Sequence, residues 1–497
     1  MNRALFRLSL ACLVMFVLLL ININYVQAFE AGSLASQPGN ARTFNQQFQY
    51  QRGSIVANGA GGPVTIANSL PVKGSAATSG NTTFQRHYPG GAAYAPVTGF
   101  DSVYGATGIE SAYQKYLAGT APSLTVHNLI SLLTGKPKQG ATVYLTVSPK
   151  AQEAAYQALA SDGGHDAAAV AINPSTGAIL AMASVPTFNP NRLTTLNGTK
   201  FVKIDNELLA NPAQPLLNRA INATYPPGST FKIVTSAAAF STGKLANQNS
   251  TLPAPQPLKL PNGNLLNNDG DETCGDGNPP VIEAFWLSCD TAFAGLGIKL
   301  GGAELTNQAT KFGWNDANLT IPMPVSPSNL KTVPDASLTG MTAIGQYNDT
   351  VTPLQEAMDA AAIANNGVLM RPYLLESVQA PDLTTISSTT PSVLSTPVSA
   401  SVASEITAMM IQVTQNPEGT AFATANSSVA GVEIAGKTGT AQNGINNSGL
   451  NDAVFTCFAP ASDPKIAVGV MVQGGGFGAD AAAPIAVKII QAYLGVH

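Results

Sequence analysis

The sequence predicts an α/β protein in which one sheet is assembled from distant parts of the chain, is flanked by helices, and carries an all-helical lobe. Two short apolar runs around a turn signal at 173–177 predict a hairpin. Three more predicted strands lie near the C-terminus and precede an amphipathic helix at 484–494. A mostly helical middle separates the two strand groups. The predicted strands of this sheet are 167–172, 178–184, 433–440, 454–459 and 466–473.

The chain has 497 residues, which favours two or three structural units over a single core. Only 10% of the residues are charged and the formal net charge is −4, and Lys and Arg do not cluster. These features argue against nucleic-acid binding. Cys and His are not spaced as metal ligands, so we expect neither a metal nor another cofactor.

A membrane-inserting segment is predicted at the start of the chain. Arg3 and Arg7 precede an apolar run at 8–23, and cations on this flank keep the N-terminus in the cytoplasm. We therefore expect residues 1–28 to be a single-pass anchor in the cell membrane, with everything that follows extracytoplasmic. A cleavable signal peptide ending at Ala28 is the alternative.

Beyond the anchor, two regions are predicted. Residues 29–145 are patchy and rich in small polar residues, especially 53–83, and nothing in them indicates chemistry. A strand predicted at 143–147 and a helix at 149–159 mark the change to a second region, 146–497. A Ser/Thr/Pro-rich stretch at 380–399 is expected to be a surface excursion.

Three cysteines follow the anchor, in a setting that permits disulfides. Cys274 and Cys289 are close in sequence, so we favour a bridge between them and leave Cys457 free. Three buried thiols are the alternative.

The strongest chemical signal is Ser229 followed by Lys232 in an otherwise apolar segment. The Pro and Gly residues just before Ser229 end any preceding helix or strand. We therefore expect a helix to begin at the serine and to place both side chains on one face. Burial lowers the pKa of an ammonium, which would let Lys232 act as a base toward Ser229. Taken alone, the pair also fits a helix cap beside a solvated lysine.

Two further motifs accompany this pair. Lys437, Thr438, Gly439 and Thr440 lie on a predicted strand, where they would offer a charge and hydroxyl groups to a substrate carboxylate. The amides of Thr440 and Ser229 would form an oxyanion hole. A strand end with a turn is the alternative.

The other motif is Ser288–Cys289–Asp290, at the start of an apolar helical run. It would bring a hydroxyl and a carboxylate to the site from the helical lobe, or else it is an ordinary helix cap. The four histidines, His87, His127, His165 and His497, lie away from these motifs, which argues against a Ser-His-Asp triad.

In this order, the three motifs resemble the signature of penicillin-binding proteins and serine β-lactamases. The similarity spans the chain and is closest to the actinobacterial penicillin-binding protein A group. Other segments that carry this resemblance are 52–55, 94–100, 108–110, 218–220 and 345–346.

The resemblance implies a class B D,D-transpeptidase with a five-stranded antiparallel sheet and an elongated, noncatalytic N-terminal region of the dimerisation or pedestal type. Ser229 would be acylated by D-Ala-D-Ala stem peptides of peptidoglycan, or by β-lactams, with Lys232 as general base. Ser288 would relay protons, and Lys437 would help to keep Lys232 neutral. Roles in cell division and cell shape are implied, with partners among divisome proteins.

One departure from the family concerns Asp290, because the family usually has asparagine there. An ionised carboxylate cannot donate a hydrogen bond to the substrate carbonyl. Asp290 is therefore expected to be protonated, to pair with Lys232, or to handle substrate differently. Two alternative functions remain at this point: a D,D-carboxypeptidase or β-lactamase that uses water as acceptor, and a noncatalytic division scaffold or receptor.

Overall fold

The structure is a computed structural model that describes residues 3–30, 48–60, 62–72, 83–135, 137–331, 333–442 and 450–496. Part of the stretch 53–83, and His497, lie outside these ranges. The strands within them are β1 Ile55–Ala57, β2 Val64–Pro71, β3 Phe84–His87, β4 Asp101–Ser102, β5 Gly105–Ala106, β6 Thr142–Leu145, β7 Ala167–Ile172, β8 Ile179–Val185, β9 Leu258–Lys259, β10 Leu265–Leu266, β11 Leu369–Met370, β12 Leu375–Gln379, β13 Thr385–Ser388, β14 Val393–Ser395, β15 Ala435–Ala441, β16 Asp452–Ala459 and β17 Ile466–Val472.

The longer helices of the described residues are α1 Arg3–Tyr25, α2 Thr125–Leu133, α3 Pro149–Ala160, α4 Gly198–Leu209, α5 Lys232–Ser241, α6 Asp290–Leu300, α7 Gly302–Lys311, α8 Pro353–Ala364, α9 Ala400–Gln415 and α10 Ala482–Leu494. Shorter helical segments include Ala95–Thr98, Gly108–Ala112, Gln114–Leu117, Arg219–Asn222, Val281–Trp286, Ala336–Thr342, Phe422–Ala425 and Ser427–Ala430.

Five described strands form an antiparallel sheet in the order β15-β16-β17-β7-β8, which confirms the predicted sheet assembled from both ends of the region. Every residue of β7, β8, β16 and β17 is buried because helices cover both faces. Helices α3 and α10 pack on one face and α8 on the other. Gly469 on β17 makes the close approach of α8 possible, since a Cβ there would lie 2.6 Å from the Ala357 nitrogen.

The all-helical lobe joins α5, α6, α7 and α9 with the short helix Val281–Trp286. The helix expected to begin at Ser229 begins one turn later: Gly228–Phe231 is a 3-10 turn, and α5 starts at Lys232. The serine therefore lies in the turn that leads into the helix.

A second sheet of six described strands has the order β13-β12-β6-β1-β2-β3. The strands β1 and β6 pair in parallel and the others are antiparallel. The stretch 380–399, which was expected to be a surface excursion, contains β13 and β14. β13 joins this six-stranded sheet, called the N-terminal sheet below, whereas β14 pairs with β11. The two regions of the sequence are thus joined through one continuous sheet.

A buried ion cluster lies beneath this second sheet. Glu110 accepts hydrogen bonds from Arg52 Nε at 2.7 Å and Arg86 Nε at 2.5 Å, and Tyr88 donates its hydroxyl at 3.2 Å. Burial alone would raise the pKa of Glu110, but the guanidinium groups of Arg86 and Arg52 hold it below its ordinary value. The charge pairing offsets the desolvation of these side chains.

At the N-terminus, α1 contains a run, Phe6–Tyr25, that is long and apolar enough to cross a bilayer and has no contacts that bury it. It matches the predicted anchor in position and length.

Candidate active site

A cleft of about 710 Å³ opens between the helical lobe and the outer edge of β15. Ser229 lies on its floor. The wall formed by the lobe carries Ser288 and Asp290, and the wall formed by the sheet carries Thr438 and Thr440. The three motifs, which are separated by up to about two hundred positions in sequence, therefore meet in one place.

The turn that carries Ser229 is held against β15 by glycines. Gly228 has φ +56°, and a Cβ there would lie 3.0 Å from the Thr440 carbonyl oxygen. A Cβ at Gly439 would in turn lie 2.7 Å from the Pro227 carbonyl oxygen. These contacts bring Ser229 next to the strand that is expected to bind substrate.

Lys232 is fully buried one turn after Ser229. Its Nζ donates to the Ser288 carbonyl oxygen at 2.6 Å, to Ser288 Oγ at 3.2 Å and to Asp290 Oδ1 at 2.6 Å. Of the three states considered for Asp290, the structure has the one in which it pairs with Lys232. Asp290 therefore competes with Ser229 for the lysine that would activate the serine.

Ser288 joins the two lysines of the site. Its Oγ accepts a hydrogen bond from Lys437 Nζ at 2.9 Å on one side, and faces Lys232 Nζ on the other. Ser288 has φ +60°, a conformation that costs a non-glycine residue about 1 kcal/mol or more. The backbone thus holds this hydroxyl between the two ammonium groups at a conformational cost.

Both lysines are buried, and this changes their protonation. Burial lowers the pKa of Lys232, while the carboxylate of Asp290 acts in the opposite direction. The pKa of Lys437 is held well below its ordinary value, first by burial and then by the charge of Lys232, and Asp290 opposes this shift only in part. One carboxylate serves two ammonium groups, so a proton leaves this pair more easily than it leaves an exposed lysine.

The strand β15 lies at the edge of the five-stranded sheet, where it pairs with β16 in the described residues, and its other edge borders the cleft. Thr438 Oγ1 is 2.7 Å from Thr420 Oγ1, which also lines the cleft. Thr420 carries no recognisable motif and was missed from the sequence. Together these hydroxyls give the wall polar groups for an extended substrate.

Gly345 and Gln346 connect the Ser229 turn to β15. The sequence indicated these two residues only through the family resemblance. Gly228 donates its amide to the Gly345 carbonyl at 3.1 Å, and a Cβ at Gly345 would lie 2.2 Å from the Gly228 oxygen. Gln346 Nε2 donates to the Thr440 carbonyl at 3.0 Å. These bonds fix the Ser229 turn relative to β15 from the lobe side.

Behind the turn that carries Ser229 lies a residue that sequence reasoning missed, Glu356 on α8. Thr230 Oγ1 is 2.8 Å from both the Pro227 carbonyl and Glu356 Oε1. A hydroxyl has one hydrogen, so Thr230 can bond fully to both oxygens only if the Glu356 carboxyl is protonated and donates to Thr230. Burial, together with the neighbouring Asp359, raises the pKa of Glu356 well above its ordinary value, which agrees with a protonated acid. An acidic residue inside an apolar helical run was the signal that could have revealed it.

The Ser288–Asp290 motif is also covalently tethered. Cys289, between these two residues, is joined to Cys274 in a disulfide with a Cα–Cα distance of 6.0 Å, and Cys457 is a buried free thiol. The bridge ties the motif to the loop that forms one rim of the cleft.

The described histidines lie elsewhere. His127 contacts Asp382, and His165 contacts the Gln473 carbonyl. Within the described part of the chain, no group of three or more His, Cys, Asp or Glu side chains is arranged to hold a metal.

Comparison with known proteins agrees with this geometry. Residues 167–491 match the penicillin binding protein transpeptidase domain, and residues 52–143 match the penicillin binding protein A dimerisation domain. The chain is 41% identical to the peptidoglycan D,D-transpeptidase PbpA of Mycolicibacterium smegmatis, with 99% of each chain covered. It is 39% identical to PbpA of Mycobacterium tuberculosis H37Rv, again over 99% of each.

Among solved structures, the ceftriaxone acyl-enzyme complex of M. tuberculosis penicillin-binding protein A superposes with a TM-score of 0.82 at 38% identity, covering 90% of this chain and 99% of that one. The resemblance that the three motifs indicated is confirmed: this chain belongs to the penicillin-binding protein transpeptidase family, in the group of penicillin-binding protein A.

Proposed function

We propose that this protein is a peptidoglycan D,D-transpeptidase whose acyl-enzyme forms on Ser229. The observation that carries the proposal is that Ser229 and Ser288 line one cleft and that the Ser288 hydroxyl is hydrogen-bonded to both buried lysines, Lys232 and Lys437. The relatives named PbpA are peptidoglycan D,D-transpeptidases, and the M. tuberculosis relative forms acyl-enzymes with β-lactams.

In the first half-reaction, neutral Lys232 accepts the Ser229 hydroxyl proton as Oγ attacks the carbonyl carbon of the D-Ala-D-Ala peptide bond. The C–N bond then breaks, and Ser288 passes a proton from the lysine pair to the departing nitrogen, so that D-alanine leaves as an amine. The lowered pKa values of the two lysines support these roles.

In the second half-reaction, the amine of another stem peptide attacks the Ser229 ester. It gives up a proton to the lysine pair, the ester C–O bond breaks, and Ser229 Oγ is protonated again. A new peptide bond cross-links the two stems. A β-lactam follows the first half only, because opening of its ring leaves the departing nitrogen attached to the acyl group.

Substrate binding is assigned to the edge of β15. The backbone of an extended stem peptide pairs with this edge, and its terminal carboxylate lies against Thr438, Thr440 and Lys437. The developing oxyanion is received by the amides of Ser229 and Thr440. The open strand edge and the hydroxyl groups that border the cleft support this arrangement.

The remaining parts of the chain are assigned by position. We propose that α1 anchors the protein by a single crossing of the cell membrane, with the catalytic region on the extracytoplasmic side where peptidoglycan lies; Arg3 and Arg7 support this orientation. The N-terminal sheet acts as a noncatalytic support. On the family resemblance alone, cell-division proteins are its proposed partners.

Labelling of the full-length protein with a fluorescent penicillin tests the catalytic assignment. Ser229→Ala should abolish labelling, because no other hydroxyl replaces the nucleophile. Ser241→Ala, at the exposed end of α5, is the matched control and should label like the parent. Mass spectrometry should find a long-lived penicilloyl adduct on the parent protein.

Transpeptidation itself is measured with a pentapeptide stem and an acceptor amine, by release of D-alanine and formation of the cross-linked product. Release without cross-linking, or rapid loss of the penicilloyl adduct, would instead establish a hydrolase. Full restoration of growth by Ser229→Ala in a deletion strain would point to a scaffold.

A further inference from the structure

The helix α2 exposes its apolar face to solvent, whereas an ordinary surface helix buries it. Its apolar residues Val126, Leu129, Ile130 and Leu133 follow the spacing of one helical face, yet their exposed fractions are 53–77%. The polar residues on the opposite face turn toward the protein. In a protein surrounded only by water, burial of the apolar face would be favoured instead.

The polar face is fastened by specific hydrogen bonds. His127 Nε2 is 2.8 Å from Asp382 Oδ2, on the turn between β12 and β13, and Asn128 Nδ2 donates to the Gly119 carbonyl at 2.9 Å. Leu383, next to Asp382, is 75% exposed and extends the apolar surface. The outward orientation is therefore built from both regions of the chain. The α2 patch consists of Val126, Leu129, Ile130, Leu132, Leu133 and Leu383.

The patch lies beside the place where the chain arrives from the membrane anchor. Gln51 pairs with Gln139, a few residues after α2 ends, and Lys138 Nζ is 5.4 Å from the centre of the Tyr50 ring. Residues 31–47 separate this point from the end of the anchor region, and such a segment spans at most about 60 Å. A tether of this length keeps the patch at a high local concentration near the bilayer.

Composition and size favour lipid over a second copy of the chain. Residues 125–133 contain no Asp, Glu, Lys or Arg, whereas Tyr50 and Lys138, types common at membrane interfaces, lie at the edge of the patch. Six aliphatic side chains offer roughly 60–120 Å² each, about 360–720 Å² together. A stable dimer needs about 800 Å² from each partner.

We propose that α2 lies on the surface of the same bilayer that holds α1, with the α2 patch inserted at the boundary between headgroups and acyl chains. The N-terminal sheet then has a fixed orientation over the membrane, and the catalytic cleft has a fixed height above it. This surface contact is distinct from the transmembrane crossing.

Depth-dependent fluorescence quenching tests the proposal on the full chain. A nitrobenzoxadiazole probe is attached to Leu129→Cys in a Cys12→Ser background, which is suitable because Cys457 is buried and Cys274 and Cys289 are bonded. The matched control is Leu209→Cys at the end of α4, which is 66% exposed. Each protein is placed, one copy per nanodisc, in phosphatidylcholine and phosphatidylglycerol with doxyl-labelled lipid.

We expect doxyl lipid to quench the probe at position 129 several-fold more than at 209. Val126→Glu combined with Leu133→Glu should remove this difference, while fluorescent-penicillin labelling of Ser229 stays at the parent level in every variant. Equal quenching at 129 and 209 overturns the proposal. The proposal is also overturned if the probe at 129 is shielded from water only when a disc holds two copies, because a second copy of the protein would then cover the α2 patch.

Discussion

The two large sheets of this molecule bury their strands in different ways. In the five-stranded sheet, β7, β8, β16 and β17 are buried along their whole length between helices. In the six-stranded sheet, every strand except β1 is partly exposed, and the strands come from three separate parts of the chain. The first arrangement makes a rigid platform that can hold Lys437 within hydrogen-bond distance of Ser288. The second joins distant segments and leaves surface for contacts outside the molecule.

The regions also differ in how they bury charge. Beneath the six-stranded sheet, the carboxylate of Glu110 accepts hydrogen bonds from the guanidinium groups of Arg52 and Arg86, and Asp101 lies 3.7 Å from Arg52, so two carboxylates face two guanidinium groups. In the cleft, two lysines share one carboxylate, and the pKa of each lysine is lowered by burial. A cluster of the first kind stabilises the fold, whereas one of the second kind can release and take up protons.

The largest effect that would test this contrast is expected from Glu110→Ala. It removes the carboxylate that bonds both Arg52 and Arg86, and leaves Arg86 without a carboxylate partner while Arg52 keeps only Asp101 at 3.7 Å, which should lower the free energy of unfolding by about 3–5 kcal/mol. Urea unfolding measures the loss. The acylation rate of the protein that remains folded should stay at the parent level, because the cluster contributes nothing to the cleft.

The exposed pair Arg192–Glu207 provides the control, since Glu207→Ala should cost about 1 kcal/mol or less. A Glu110→Ala protein of parent stability, or one that is folded but fails to acylate, would contradict the division of roles between the two regions.

The same contrast explains how much of the structure the sequence could predict. The strands at 167–172 and 466–472 are continuous apolar runs beside turn signals, so their position, and the sheet they form, follow from local pattern. The strand β1 has three residues and pairs with β6 almost ninety positions away. No local pattern indicates that pairing, and none indicates that 385–388 joins the same sheet.

In the cleft, the motifs placed Ser229, Lys232, Ser288 and Lys437 together, but their bonding was not predictable. Whether Asp290 would be protonated or paired depended on a lysine 58 positions away. Glu356 was missed because its partner, Thr230, is reached only through packing of α8 against the sheet. A contact made by long-range packing cannot be predicted from the composition or pattern of a short segment.

A smaller effect is expected from changing Glu356. This change tests whether the buried acid only stabilises the fold or also positions the turn that carries Ser229. Glu356→Leu removes the carboxyl group that is hydrogen-bonded to Thr230 and leaves the turn that bears Ser229 less constrained, so acylation by penicillin should slow about 5- to 10-fold. Glu356→Gln keeps an N–H donor of similar shape and should stay within about twofold of the parent.

Stopped-flow measurement of the acylation rate, with unfolding free energies taken in parallel, separates the two effects. The infrared difference spectrum of the parent minus Glu356→Gln should contain one protonated-carboxyl band, since Asp349 and Asp359, whose pKa values burial also raises, are present in both proteins. Equal rates for the Leu and Gln variants would exclude a positioning role for this acid.

The smallest expected effect is a gain, from Asp290→Asn. The carboxylate raises the pKa of Lys232 against the effect of burial and holds its Nζ at 2.6 Å, so its removal should favour the neutral lysine that the proposed mechanism requires as the base. We expect acylation by penicillin to become about 3- to 10-fold faster at neutral pH, which corresponds to about 0.6–1.4 kcal/mol. In the proposed mechanism the rate rises with pH as Lys232 loses its proton, so the rising limb of the pH profile should move to lower pH in the variant. An unchanged or slower rate, with the limb in its original place, would show that the Asp290–Lys232 pair does not limit acylation.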